Sequence, residues 1–83
     1  MDAGTVLLRL QTIFDDLLLQ PVTLTPALSA DEVEEWDSLL QVSIVAAAEE
    51  RFGIQFRTGE VEATRNVGDL VALIQRHLSR QAG

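Results

Sequence analysis

Apolar residues recur at steps of three and four along the first part of the chain. Val6, Leu10, Ile13, Phe14, Leu17 and Leu18 form one stripe, and Arg9, Gln11, Asp15 and Asp16 lie off it. This pattern predicts an amphipathic helix over residues 5–19. Gln20-Pro21 stops it, because the residue before a proline is pushed away from helical geometry, and Pro26 keeps the following stretch extended. Residues 20–37 read as an ordered loop, longer than most connections, anchored to the core by Leu24, Leu28 and Val33. A second helix is predicted over 38–52, beginning at Asp37 or Ser38 and ending where Gly53 can turn left-handed. Its buried face carries Val45, Ala48 and Phe52 with Ile44 beside them, and Leu40 is turned away from that face. Phe52 is expected to pack between the first and last helices, near Phe14 and Ile74. Ile54-Gln55-Phe56 returns to the core as an extended segment, and residues 60–63 form a short helical turn. Asn66 caps a last helix over 67–80, with Asp69 in its first turn and a stripe of Val67, Leu70, Val71, Ile74 and Leu78. No strand pattern and no repeat is present. The fold class is therefore all-α: a small antiparallel bundle of three main helices plus one short helix, with a long first loop.

Charge sharpens this picture. Thirteen acids against six arginines give a formal charge of -7, a surface that repels phosphate backbones and argues against nucleic acid as a partner. A length of 83 residues allows a single domain, 1–83. Without cysteine there is no disulfide, no thiolate nucleophile and no cysteine-held zinc, and a reducing cytoplasm suits the chain. The N-terminus has no basic region followed by a long apolar stretch, so no secretory signal is expected. The longest apolar run, residues 44–48, falls far short of the ~20 residues of a membrane span. A soluble, cytoplasmic monomer is the expectation.

Few residues offer chemistry of their own. His77 lies near Arg76 and Arg80 in the last turns of the last helix, where a cation favours the helix dipole, and it reads as a surface residue. The acids of Asp31-Glu32-Val33-Glu34-Glu35 lack the alternating ligands and the glycine of a calcium loop, so no metal site is expected. No acid, base or nucleophile is set up for catalysis, and the protein is not read as an enzyme. Ser38 stands apart, where the loop enters the second helix. As a structural residue it would cap that helix, with Gln41 three positions on completing a capping box. As a functional residue its hydroxyl would be exposed at a helix N-terminus, whose free amides and positive dipole end stabilise a phosphate ester. Spacing does not separate the two readings.

The wider pattern does. Asp37-Ser38-Leu39 resembles the D-S-L modification motif of the acyl carrier protein family. The resemblance continues through Val45, Glu49-Glu50 and Phe52-Gly53-Ile54 to Asn66-Val67-Gly68-Asp69-Leu70-Val71, and so covers nearly the whole chain. It implies that a phosphopantetheinyl transferase moves phosphopantetheine from coenzyme A to Ser38. The thiol of the arm would then carry acyl groups as thioesters to a loading enzyme and to a downstream acyltransferase or synthase. An aminoacyl or peptidyl carrier is the alternative within the family, and an unmodified acidic helical adaptor the alternative outside it.

Docking residues follow in part from the same resemblance. Leu39, Val42 and Ala46 occupy family positions that tend to face partners, although for Val42 a place in the core fits nearly as well. Residues 31–50 hold seven acids and no base, a concentration that steers partners with basic patches; Glu49 and Glu50 are read as its solvent-facing members. Fatty-acid-synthesis carriers usually have acids where this chain has Leu40 and Ser43. Leu40 is therefore read as an exposed part of a partner patch. Trp36 and the N-V-G-D-L block look more like stand-alone carriers of specialised bacterial pathways, such as polyketide or hybrid peptide assembly.

Overall fold

The computed structural model describes residues 1–82, with side chains through residue 80. Its first helix, α1, spans Ala3–Leu17, two residues earlier at each end than the periodicity predicts. Asp2 sets the start: its carboxylate accepts the Thr5 amide at 2.7 Å, so the helix begins at the cap and not at the first apolar residue. At the other end Leu18 is already extended (φ -90°, ψ 143°), which turns its side chain into the core while Leu19 is left 94% exposed.

The connection from residue 18 to residue 37 is held on both sides. Gln11, off the apolar stripe of α1, donates from Nε2 to the Val22 carbonyl at 2.7 Å and accepts the Leu24 amide on Oε1 at 2.8 Å. One side-chain amide thus pairs with the loop backbone as a neighbouring strand would. Leu24 and Val33 are buried and Leu28 packs partly buried against them, as the sequence predicts. On the far side, the Leu28 and Pro26 carbonyls accept the Val67 and Gly68 amides, each at 2.8 Å. This contact needs a glycine, since a Cβ on Gly68 would stand 3.0 Å from the Pro26 carbonyl oxygen. The loop also contains a single 3-10 turn, Ala30–Glu32.

Helix α2 spans Ser38–Phe52 and ends as predicted, with Gly53 left-handed at φ 65°, ψ 37°. Residues 57–64 form successive hydrogen-bonded turns, including Glu60 N–H to Arg57 C=O and Ala63 N–H to Gly59 C=O. A turn with helical hydrogen bonding thus covers residues 60–63, and the one short helix among the described residues is the 3-10 turn of the first loop. Helix α3 spans Val67–Ala82. Asn66 Oδ1 accepts the Asp69 amide at 2.8 Å as the helix cap, and Asp69 reaches back past it to accept the Arg65 amide at 3.0 Å.

Helix α1 packs against both α2 and α3. The core joins Val6, Leu10, Ile13 and Phe14 to Ile44, Ala48 and Phe52 of α2 and to Val67, Leu70, Leu73 and Ile74 of α3. The chain is an all-helical bundle, with no strand among the described residues. Two positions differ from the sequence reading. Val45 is only half-buried, and Leu40, expected to face solvent, is half-buried against the core. The inward row of α2 is Leu40, Ile44, Ala48 and Phe52, a four-residue ridge that winds by about 40° per step around the helix. Leu40 is its first rung.

Candidate functional site

The start of α2 is built from four residues that precede it. Val33 is buried at 7% exposure. The Trp36 ring stands edge-on to Phe14, with centroids 5.1 Å apart and planes at 75°, which ties the end of the loop to the last turn of α1. Glu35 accepts the Leu19 and Gln20 amides on its two carboxylate oxygens, each at 3.0 Å. These are the two backbone donors left over where α1 has ended, so a residue that reads as part of a solvated acidic run is a clamp. Asp37 is the cap of α2: extended at φ -107°, ψ -172°, it accepts the Leu40 amide at 2.9 Å.

Ser38 consequently does not cap the helix. It is the first residue inside it, exposed, and its hydroxyl has no hydrogen-bond partner among the described residues. Gln41 closes no capping box either. Its Oε1 accepts the Trp36 indole N–H at 2.6 Å, and its side chain is thereby turned away from the helix start. The first intrahelical acceptor, Asp37 C=O, takes the Gln41 amide, and Asp37 Oδ1 takes that of Leu40. The Ser38 and Leu39 amides come before both and point out of the helix start beside the Ser38 hydroxyl.

The surface that continues from Ser38 is apolar. Leu39 is 80% exposed and Val42 67%, and Ala46 lies exposed one turn further on. The spacing of 39, 42 and 46 puts them on the side of α2 opposite the ridge of Leu40 and Ile44. Val42 is thus a surface residue, not a core one. The seven acids of residues 31–50 divide into two groups. Glu35 and Asp37 hold backbone amides, and so does Glu49, which is half-buried and accepts the Phe56 amide at 2.8 Å. That anchor corrects the reading of Glu49 as solvent-facing: it fastens the segment after α2. Asp31, Glu32, Glu34 and Glu50 are exposed and without partners among the described residues. They are the acids available to another molecule.

His77 also departs from expectation. It is buried at 8% exposure, stacked edge-on against Phe56 with centroids 5.4 Å apart, and its Nε2 lies 2.8 Å from Glu60 Oε1. The residue falls one helical turn beyond Leu73 and Ile74, so it continues the buried row of α3 where the stripe of leucines stops. Glu60 is held below the usual carboxylate range, first by the Arg57 amide that it accepts at 2.7 Å and then by the contact with His77. A carboxyl depressed in the folded state stabilises the fold above its unfolded pKa, and that contribution disappears as pH falls through the folded value. Glu60→Gln is therefore expected to flatten the loss of stability on acidification below about pH 4.3, the ordinary glutamate value. Urea unfolding of both proteins over that range checks it, and parallel curves would deny Glu60 the role. Among the described residues no group of three or more His, Asp or Glu is placed to hold a metal ion.

Comparison with known proteins places this bundle in a family. The phosphopantetheine attachment site family matches residues 9–74 of the chain. Along 96% of its length the chain is also similar to the holo acyl carrier protein of Geobacter metallireducens, a solution NMR structure. There the identity is 30%, the TM-score 0.77 and the coverage of that protein 88%. Among curated proteins there is no significant match. The chain belongs to the acyl carrier protein family, whose members are marked by a phosphopantetheine attachment site. Its prosthetic group is a covalently attached phosphopantetheine.

Proposed function

We propose that phosphopantetheine is attached to Ser38 and that the protein presents acyl groups, held as thioesters on the arm, to partner enzymes. The observation that carries this reading is the Ser38 hydroxyl itself: exposed, without an intramolecular partner, at the first residue of a helix capped by its neighbour Asp37. A phosphodiester there would meet the outward amides of Ser38 and Leu39 and the positive end of the helix dipole, and the residues present fit the group. When bound, the arm supplies a thiol that holds acyl groups in an activated form.

Attachment from coenzyme A forms a phosphorus–oxygen bond to Ser38 Oγ and breaks the pyrophosphate bond. The adenosine bisphosphate leaves, and the serine proton passes to a base of the transferase. Nothing in this chain serves as that base, since Asp37 is already committed to the Leu40 amide. The chain itself makes and breaks no bonds in this reading. Its partners are the phosphopantetheinyl transferase, an acyl-loading enzyme and a downstream acyltransferase or synthase. Leu39, Val42 and Ala46 offer them an apolar contact, and Glu50 with the acids before Ser38 steers their basic surfaces. The setting is the cytoplasm, with the chain acting as a monomer in a specialised assembly pathway; no helix among the described residues is long and apolar enough to cross a membrane.

Intact-mass measurement tests the assignment. Incubation with coenzyme A and a broad-specificity transferase is expected to add the mass of one arm to the wild type and none to Ser38→Ala. Fragmentation is expected to place the arm on Ser38. A mass that never shifts, as an unmodified adaptor would give, or an arm on another residue, sinks the proposal.

A further inference from the structure

The Ser38 side chain does nothing to fix its own place: it is exposed, and its hydroxyl has no partner among the described residues. The three residues before it do that work, and each is tied to a different part of the molecule. Glu35 accepts the Leu19 and Gln20 amides on its carboxylate, at 3.0 Å each, and its backbone carbonyl accepts the Asp37 amide, also at 3.0 Å. Trp36 sets its ring against Phe14 of α1 and donates its indole N–H to Gln41 of α2. Asp37 caps α2 through the Leu40 amide. The end of α1 is thus joined to the cap of α2 through one residue, whose side chain holds the first and whose carbonyl holds the second.

Two neighbouring glutamates separate position from charge. Glu34 is exposed and without a partner among the described residues, free to attract a basic surface. Glu35 is half-buried, with a backbone amide on each oxygen. The two carry the same charge one residue apart, and only Glu35 holds the chain. The rest of the loop does not depend on this clamp. Leu24 and Val33 are buried, Gln11 holds residues 22 and 24, and the Pro26 and Leu28 carbonyls hold the start of α3. Leu19 and Gln20 are exposed, so water replaces the carboxylate on their amides once it is removed. Loss of the clamp therefore loosens the approach to Ser38 and spares the fold.

We infer that Glu35 is a positioning residue for attachment of the arm: by joining the end of α1 to the cap of α2 it holds Ser38 in the arrangement that the transferase accepts. The inference rests on attachment at Ser38. A carrier that keeps this arrangement for only part of the time binds more weakly in proportion to the lost fraction, and once bound it is modified at the usual rate. The effect falls on KM and spares kcat. The bond from Trp36 to Gln41 survives the loss of Glu35, so the entry to α2 is loosened and not released.

Loading of the full chain from coenzyme A by a broad-specificity transferase, followed by intact mass, measures this. Glu35→Ala is expected to raise KM for the carrier about three- to tenfold, the effect of one net hydrogen bond, with kcat nearly unchanged. The rise is expected to persist at high salt, where exposed charges are screened. Glu34→Ala removes the same charge and is expected to raise KM at low salt only. Glu35→Gln is neutral but keeps an oxygen that accepts one of the two amides, and it is expected to recover part of the loss. In Glu35→Ala the amide hydrogens of Leu19 and Gln20 are expected to exchange faster while the thermal transition stays within a few degrees of wild type. Should Glu35→Ala fail to fold, Glu35→Gln against Glu34→Gln makes the same comparison. Equal effects at Glu34 and Glu35 that vanish together at high salt make Glu35 a steering charge and overturn the inference. So does a wild-type KM in a variant whose Leu19 and Gln20 amides have lost their protection. Both results leave attachment at Ser38 intact. A wild type that takes no arm overturns both readings, and its mass shows this before any variant is compared.

Discussion

Phe14→Ala is expected to abolish the cooperative thermal transition of this protein at neutral pH. Phe14 is the largest of the fully buried side chains, at 1% exposure, and its ring also receives the edge of Trp36. Truncating a buried phenylalanine costs about 3–5 kcal/mol, and the lost aromatic contact adds about 0.5–1.5 kcal/mol. A chain of 83 residues has a total margin of about 5 kcal/mol to set against this. The loss is expected first where Phe14 supports the loop. Because Trp36 is the only tryptophan, its emission reports that region alone, and it is expected to move to longer wavelength in the variant. Circular dichroism on heating gives the global result. A sharp transition within a few degrees of wild type, with unchanged tryptophan emission, would mean that the pairing of Phe14 with Trp36 contributes little and that the core closes over the gap.

The second large effect concerns two adjacent leucines with opposite expected outcomes. Leu39→Asp combined with Val42→Asp is expected to leave the thermal transition nearly unchanged, since both positions are exposed and surface changes are usually within about 0.5 kcal/mol. Loading of the arm by the transferase is expected to slow by more than about tenfold, the loss typical of an apolar contact at the centre of an interface. Leu40→Asp alone is expected to do the reverse. It places a carboxylate on the first rung of the buried ridge and destabilises the fold by about 1–3 kcal/mol. Modification rates measured where each variant remains folded separate binding from stability. A Leu39/Val42 variant loaded at the wild-type rate would remove this face from the docking surface.

Much of this architecture is legible in the sequence because helices announce themselves by period and by their ends. Gly53 ends α2 and Asn66 opens α3 as local chemistry requires, since each acts on backbone groups within a few residues. Asp2 acts in the same way at the start of α1, and the Asp2 to Thr5 spacing was available to be read. The resemblance around Asp37-Ser38-Leu39 points to the family to which the chain belongs. Leu40 was misjudged by taking Val45, Ala48 and Phe52 as the inward row. A shift of one residue in the assumed row turns the helix by about 100° and exchanges a core position for a surface one.

The sequence by itself determined the all-helical class, the two ends of α2, the apolar stripes of α1 and α3, and the serine at the head of α2. These depend on interactions among residues close together in the chain. Only the tertiary structure decided which polar residues are spent. Glu35 reaches the amides of Leu19 and Gln20, Gln11 the Val22 carbonyl and the Leu24 amide, and Glu60 meets His77 across 17 positions. Whether a carboxylate or an imidazole faces water or a backbone donor depends on which distant segment arrives beside it, and no periodicity records that. The same meeting of distant segments sets Trp36, Gln41, Arg65 and Asn66 around one cleft, which is why the serine at the head of α2 can be read from the chain and its surroundings only from the fold.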